Sequence, residues 1–594
     1  MGIERSNIKE EYKWDLESIY SNEEELNKDF EEIKKFLNEI KKYKGTLGDS
    51  KENLYNTLYL YEKILRISEN IYVYTHMKQH EDTRNNKNQA LSGKSEMLST
   101  EISTVTSFIV PEIISIKEED MNKYMEDEKL KYYKKFIDEI LRKKPYTLSQ
   151  REEELLALSS DIANTAENTF EMLSFADIKF PEIEDEQGNK IRITHANFSK
   201  FLQSKNRDIR KSAFKSVYET YGKYINTFAS TLSGSVKREI FYSKARNYNS
   251  AIEASLFEDN INLKVYDNLI KVVTKNLEPM YKYLKLKKEF LNIKELHMYD
   301  LYAPLVSELD MNIKYEEAKD IILNALKPLG DDYLSIVKKA FDERWIDVYE
   351  NEGKKGGAYS WGSYDSHPFI LLNYKDDLNS LFTLVHELGH SLHSYYSRKN
   401  QPYIYSHYKI FVAEVASTLN EQLLMDYMLN NAKSREEKLY LLNYYLEQFR
   451  TTVYRQTMFA EFEKIIHEKY EKGEALTSDE YCDIYYNLNL KYYGKDTCVD
   501  RDISLEWARV PHFYSNFYVY KYATGFSAAS TLSYKILNKG KGVVEKYLEF
   551  LKSGGSDYPL NQLKKAGVDM EDENSIQIAL DKFKNLVDDL EKEK

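Results

Sequence analysis

His386 and His390 stand four residues apart in Leu384-Val385-His386-Glu387-Leu388-Gly389-His390, a run whose apolar spacing predicts a helix. On a helix, side chains at i and i+4 leave the same face, so both imidazoles can close on one metal ion from one side. Imidazole suits zinc, and a catalytic zinc takes three protein ligands and keeps a fourth position for water. Glu387 then lies beside that open position, where a carboxylate can take a proton. The chemistry predicted by this spacing is zinc-assisted hydrolysis of a peptide bond, with one zinc ion per chain.

The third ligand must come from elsewhere in the chain. His393 lies nearly on the same helical face, but at ~1.5 Å rise per residue it is about 10 Å beyond His386 along the axis. The longer pattern H-E-x-x-H-x-x-G-x-x-H fails as well, because His393 and Tyr396 occupy the positions of its glycine and last histidine. His393 is therefore expected to be buried and hydrogen-bonded, not a ligand. The remaining candidates are acids on the next predicted helix, His407 to Glu421, which follows a polar loop containing Pro402. Glu414 is flanked on both sides by small and apolar residues, where an ionised carboxylate is costly without a cation. It is preferred as the ligand over Glu421 and Asp426. Glu421, two turns further on the same face, is placed to orient a ligand imidazole. Two neutral imidazoles and one carboxylate would leave a zinc site with a net charge near +1, enough to acidify a bound water.

Two flanking segments carry further candidates. Upstream, Gly353 to Gly362 and His367 to Asn373 read as two strands joined by a loop. Gly356, Gly357, Ala358 and Tyr359 could form an edge that holds an extended peptide by main-chain hydrogen bonds, or an ordinary glycine turn. His367 could touch substrate or satisfy its loop. Downstream, His512 to Tyr522 supplies N–H and O–H donors for an oxyanion. Tyr514, Tyr518 and Tyr522 are spaced to share one helical face, as either oxyanion donors or an aromatic packing stripe.

Together these residues resemble the oligoendopeptidase F branch of the thimet oligopeptidase and neurolysin metallopeptidases. The resemblance is carried by HELGHSLH, by FVAEVASTLNE with Glu414 24 residues past His390, by Gly356 to Tyr359 with His367-Pro368-Phe369, and by Arg509 to Tyr514 with Phe517 to Gly525. Asn206 to Arg210 fits too, so the resemblance spans most of the chain. It implies a mainly α fold: a helical, clam-like zincin body with a deep substrate channel and a small β-sheet next to the active-site helix. It also implies an oligoendopeptidase F-type N-terminal domain at about 112–184 within a helical region 1–200, a catalytic region 201–594, and short peptides as substrates, cut internally. Family members use a histidine and tyrosines from the downstream segment. Here the spacing departs from the thimet branch, with Phe517 and Lys521 where tyrosines are expected, so His512 is the firmer transfer.

The elements that must position these residues are helices. The 594 residues include only 21 Gly and 10 Pro, with 30% charged and 42% hydrophobic residues, a scarcity of breakers that favours long helices. A helix is expected over Leu130–Leu141 with Pro145 ending the run, and Ser149 with Glu152 reads as a capping box. Ile178 to Ile193 reads as a hairpin around Gly188-Asn189. The charged tail after Val568 reads as a solvated helix. The 51 tyrosines are expected to cover helix faces throughout.

Composition also removes alternatives. A net charge of −13 without a basic stripe argues against nucleic acid. No secretory h-region and no run of about 18 apolar residues is evident, so no membrane partner is expected. Two cysteines, Cys482 and Cys498, make no disulfide framework and fit a reducing cytoplasm. The oligomeric state is left open. Two rival readings remain: a zinc carboxypeptidase on the same ligands, with a cation closing the channel, and a peptide-binding protein without activity. The second has no need for Glu387.

Overall fold

The computed structural model describes residues 3–306 and 311–594, and the chain is 71% helical with only small sheets. By packing it divides into two compact units, each assembled from three stretches. The first comprises Met1–Pro145, Met311–Tyr427 and Leu532–Gly567; the second comprises Tyr146–Asp310, Met428–Thr531 and Val568–Lys594.

The first unit begins with a layer of helices: α1 (Glu23–Ile40), α2 (Lys51–Glu81) and α3 (Asn86–Thr106). Asn22, Ser50 and Asn85 cap their N-termini by accepting from backbone N–H groups, which satisfies donors a helix start leaves unpaired. Phe30, Ile33 and Leu37 of α1 meet Leu54, Leu58 and Ile64 of α2 and Ile102 of α3 in one buried core. By length and composition alone, the stretch Asn86–Ser115 is long and apolar enough to cross a membrane. Phe108, Ile109 and Ile113 of that stretch instead join the same core as α1 and α2.

A second, smaller core joins this layer to a three-stranded sheet. Its strands are β1 (Ile346–Asp347), β2 (Tyr359–Trp361) and β3 (Phe369–Leu371), in the order β1-β3-β2, with β1 parallel and β2 antiparallel to β3. Successive side chains alternate across the sheet. Phe369 and Leu371 pack with Trp14, Val73 and Met77, and Tyr359 and Trp361 pack against the same cluster. Ser360, on the opposite face, bonds Ser391 on helix α4 (Leu378–Asn400) through its hydroxyl at 2.7 Å. A small sheet thus flanks the helix that carries the histidines, as expected, and β2 is one of its two edge strands.

Asp377 caps α4 by accepting from Ser380 N–H at 2.7 Å. The next helix, α5 (Ile410–Asn430), begins three residues later than the sequence expectation and runs nine residues further. The expected helix over Leu130–Leu141 is interrupted: helices span Glu128–Lys131 and Lys134–Arg142, with Leu130, Tyr133, Ile137 and Ile140 buried.

In the second unit the hairpin forms as read, Glu182–Glu184 against Lys190–Arg192, with Gly188 at φ +78° in the turn. The capping box of Ser149 and Glu152 also forms. The solvated tail does not. Helix Glu573–Lys592 buries Ile576, Ala579, Leu580, Phe583, Val587 and Leu590, and Phe583 packs on Tyr283, Phe449 and Tyr454. Its charges solvate one face while its apolar residues, at helical spacing, fill a core.

Candidate active site

Helices α4 and α5 approach so closely at Gly389 that a Cβ there would lie 2.5 Å from Ser417 Cα and 2.7 Å from the Ala416 carbonyl oxygen. Backbone cannot yield to such an atom, so glycine is the residue that lets Glu414 reach the histidines. Asn420 ties the crossing, donating to the Val385 carbonyl at 3.3 Å and accepting from the Tyr333 hydroxyl at 3.0 Å.

The result is a cluster of three groups that could hold a metal ion. His386 Nε2 lies 3.2 Å from His390 Nε2, and Glu414 Oε2 lies 3.4 Å from the first and 3.5 Å from the second. One donor atom from each residue falls within 4.8 Å of the others. His386 Nδ1 bonds Glu421 Oε1, which leaves Nε2 directed at Glu414 and His390, the carboxylate–histidine arrangement of metal sites. The electrostatics favour a cation here. Burial opposes a charged His386, but Glu421, Glu387 and Glu414 outweigh it and lift the imidazole to about 9. Glu414 is held down to about 2, burial being overcome by His390 and His386.

Glu414 does not sit in the desolvated setting expected for it. Its side chain is about half exposed, while its apolar neighbours Val412, Val415 and Ala416 are buried. Glu414 therefore faces away from the core its neighbours fill, and its affinity for a cation rests on the two imidazoles.

Glu387 is buried. Burial pushes its carboxyl up from the usual range, with Glu414 adding to the rise, while His386, His390 and a backbone hydrogen bond from Ser360 of β2 pull it down. A carboxyl raised in this way is better suited to take up and pass on a proton.

His393 lies outside the centre. It is buried and stacked on Tyr408 with ring centroids 3.6 Å apart, and burial pushes it down to about 3. Its Nδ1 has no hydrogen-bond partner among the described residues, so the expected hydrogen bond is absent at that atom.

The glycine segment leads into the edge strand. Gly357 adopts φ +83°, and Asn373 holds the carbonyls of Lys355 and Gly357 at 3.1 and 2.8 Å. Gly356 and Ala358 lie outside the strand, which begins at Tyr359. Tyr359 turns its hydroxyl to His80 at 2.7 Å. His367 stacks on Trp345 at 4.9 Å, and its ring nitrogens meet the Pro368 carbonyl and the Ser18 hydroxyl, which is the loop-satisfying reading.

In the second unit, His512, Tyr518 and Tyr522 come together. His512 Nε2 and the Tyr522 hydroxyl are 3.2 Å apart, and Tyr518 stacks on His512 with ring centroids 6.3 Å apart and meets Tyr522 edge-on at 5.4 Å. Burial, then Arg455, hold His512 below the usual histidine range and so favour a neutral ring. The shared helical face does not form. Phe517 takes φ +46° with its N–H bonded to buried Glu463 at 2.7 Å, and the helix starts only at Tyr520. Tyr514 is consequently separated from the other two: it stacks on Phe170 at 4.2 Å and bonds Thr231 at 2.7 Å. Lys521 pairs with Asp259 at 2.7 Å.

Gly389, Ser360 and Asn420 were not among the residues expected at the site. A glycine inside a helix costs about 1 kcal/mol relative to alanine, and that cost was the available signal for Gly389. Nothing local marks Ser360 or Asn420. A second potential ligand group, His297, Cys498 and Asp500, arises where Leu296–His297 pairs in parallel with Thr497–Cys498; it has no neighbouring base comparable to Glu387 among its own residues.

Comparison with known proteins gives the family. Residues 200–582 match Peptidase family M3, and residues 112–180 match the Oligopeptidase F description of its N-terminal part. The chain belongs to peptidase family M3. Among M3 relatives, "Oligopeptidase PepF" of Bacillus subtilis strain 168 is 49% identical over 589 residues, covering 99% of this chain and 88% of that protein. An "Oligoendopeptidase F homolog" of Lactococcus lactis subsp. lactis is 43% identical, covering 100% and 99%. The crystal structure of oligoendopeptidase-F from Enterococcus faecium superposes with a TM-score of 0.74 at 39% identity, covering 96% and 99%. A Chlamydophila abortus structure superposes at 0.94 with 38% identity over both full chains. The M3 chain is thus a metallopeptidase of the oligoendopeptidase F type.

Proposed function

We propose that this M3 metallopeptidase is a zinc-dependent endopeptidase that hydrolyses internal bonds of short peptides. The observation that carries this reading is the convergence of His386, His390 and Glu414 with Glu387 on the adjoining helical turn. The donor set, two imidazoles and one carboxylate with the first imidazole backed by Glu421, fits zinc. Zinc held there supplies Lewis-acid chemistry, acidifying a water and polarising the scissile carbonyl.

The chain's own residues do the rest. Glu387 takes the proton from the attacking water and passes it to the leaving amine. Glu421 fixes the tautomer and orientation of His386. His512, kept neutral, and Tyr522 are the donors assigned to the developing oxyanion, with Tyr518 packed beside them; the family resemblance supports this assignment. Tyr514, committed to Thr231, is left out. The edge strand β2, led in by Gly356, Gly357 and Ala358, is assigned to main-chain pairing with extended substrate. The unpaired thiols of Cys482 and Cys498 suit a reducing cytoplasm, where the enzyme is placed.

The test is mass spectrometry on a ladder of peptides with free and amidated C-termini, with and without a chelator. Internal cuts in short peptides, abolished by chelation and indifferent to amidation, are expected. Stepwise loss from free C-termini alone would replace endopeptidase by carboxypeptidase, and inertness of the zinc-loaded protein would overturn the enzymatic reading.

A further inference from the structure

Three carboxylates of the second unit are each shared by two cations. Glu447 meets Lys287 at 3.2 Å and Arg450 at 2.6 Å. Asp300 meets Arg207 at 2.9 Å and Arg210 at 2.8 Å. Glu506 meets Arg455 at 2.8 Å and Arg509 at 3.4 Å. Six cations therefore face three carboxylates, and the side chains of Lys287, Arg450 and Asp300 have no exposure to solvent. Burial, mainly, with Arg450 and Arg210 adding to it, pushes Lys287 down to about 8 despite Glu447.

The surplus borders a cavity. Arg450, Arg455, Arg509, Glu506, Tyr302 and Tyr493 line a space of about 180 Å³ with otherwise largely apolar walls. Its lining is rich in donors and poor in acceptors. Glu506 already accepts from Tyr485 at 2.6 Å, Tyr218 at 3.2 Å and Arg455 at 2.8 Å. Glu447 is taken up by Arg450, Lys287 and the Tyr283 hydroxyl at 2.5 Å. Arg450 Nη1 is buried without a hydrogen-bond partner among the described residues, and its guanidinium sits 4.7 Å from the Tyr302 ring centroid. His195, also on the wall, spends Nε2 on the Ser174 carbonyl at 3.0 Å. A buried guanidinium N–H left without an acceptor, as at Arg450 Nη1, costs free energy that a bound anion would recover through a charge-assisted hydrogen bond.

We propose that this cavity is a binding site for a small anion, an inorganic oxyanion or a carboxylate, seated among Arg450, Arg455 and Arg509 with Tyr302 and Tyr493 as further donors. The proposal does not rest on the peptidase assignment, since none of these side chains is a candidate metal ligand or a proposed oxyanion donor; Arg455 alone acts on His512, through its charge.

The test uses the full-length zinc-loaded protein at constant ionic strength set with a bulky sulfonate salt. Its melting temperature is followed against phosphate, sulfate and acetate, with calorimetric titration of the strongest. A ligand that binds only the native state raises the midpoint along a saturable curve, and that is the expected result. Phosphate or sulfate binding more tightly than acetate identifies the inorganic class, and the reverse order identifies a carboxylate. Arg509→Gln should weaken the binding at least about tenfold, as expected for one charge-assisted hydrogen bond. Tyr302→Phe and Tyr493→Phe, which keep the packing, should weaken it to a lesser degree. A rise that never saturates, or a saturable one unchanged in all three variants, would place the anion effect elsewhere and sink the proposal.

Discussion

Gly389 on α4 faces Ser417 on α5 at a separation that leaves no room for a methyl group, 2.5 Å from the position of a Cβ to Ser417 Cα. This contact sets the distance between the helix carrying His386 and His390 and the helix carrying Glu414. Gly389→Ala must push the helices apart or distort one of them, at an overpacking cost of about 1–3 kcal/mol. We expect a lowered melting temperature and a zinc content well below one per chain, checked by thermal unfolding and elemental analysis. Full zinc occupancy in the alanine variant would show that the helix spacing does not govern the site.

Glu421 acts on the metal only through His386. Glu421→Gln should therefore weaken zinc binding by about 10–100-fold, the usual effect of losing the carboxylate behind a ligand histidine. Competition with a chromophoric chelator measures this directly. Activity should return when zinc is supplied in excess.

Glu387 has the opposite profile. Because it is assigned to proton transfer and not to ligation, Glu387→Gln should retain one zinc per chain and bind peptide while kcat/KM falls by about 10²–10⁴. Unchanged cleavage would remove Glu387 from the mechanism.

Among the downstream aromatic residues the structure separates partners that the spacing had grouped. Tyr522→Phe and His512→Ala should each lower kcat, by up to about 10²–10³ if they donate to the oxyanion. Tyr514→Phe, which loses only a hydrogen bond to Thr231, should leave kcat near that of the parent. Single-turnover kinetics on one short peptide would rank the three.

His393 predicts a pH dependence of stability. Its folded value near 3 lies below the unfolded value near 6.5. Below pH 6.5 the unfolded chain binds a proton the native ring refuses, so this residue's contribution is lost as pH falls from 6.5 towards 3. Between pH 7.5 and 5.5 the loss is about 1.4 kcal/mol. His393→Phe preserves stacking on Tyr408 and should remove that part of the acid sensitivity; parallel denaturant titrations at the two pH values measure it. Equal losses in both proteins would show that His393 does not contribute.

The metal centre was legible in the sequence because helical geometry is local: His386, Glu387 and His390 lie within five residues, and a helix alone puts the two imidazoles on one face. The proximity of Glu414 and Glu421 to His386 and the small sheet beside the helix were also expected from the sequence, although the apolar flanks that singled out Glu414 do not desolvate it. What the sequence could not decide depends on contacts between distant segments. Glu414 faces the histidines because Gly389 admits α5, not because its neighbours desolvate it. Tyr514 parts from Tyr522 because Glu463, 54 residues before Phe517, holds that residue at a positive φ. The tail helix is a core element because Phe583 finds Tyr283, Phe449 and Tyr454. The arginine cavity gathers Arg450, Arg455 and Arg509 with Tyr302, residues whose separate sequence positions give no hint of a shared wall. Periodicity reports which face of an element is apolar, whereas only the packed chain decides what each face meets.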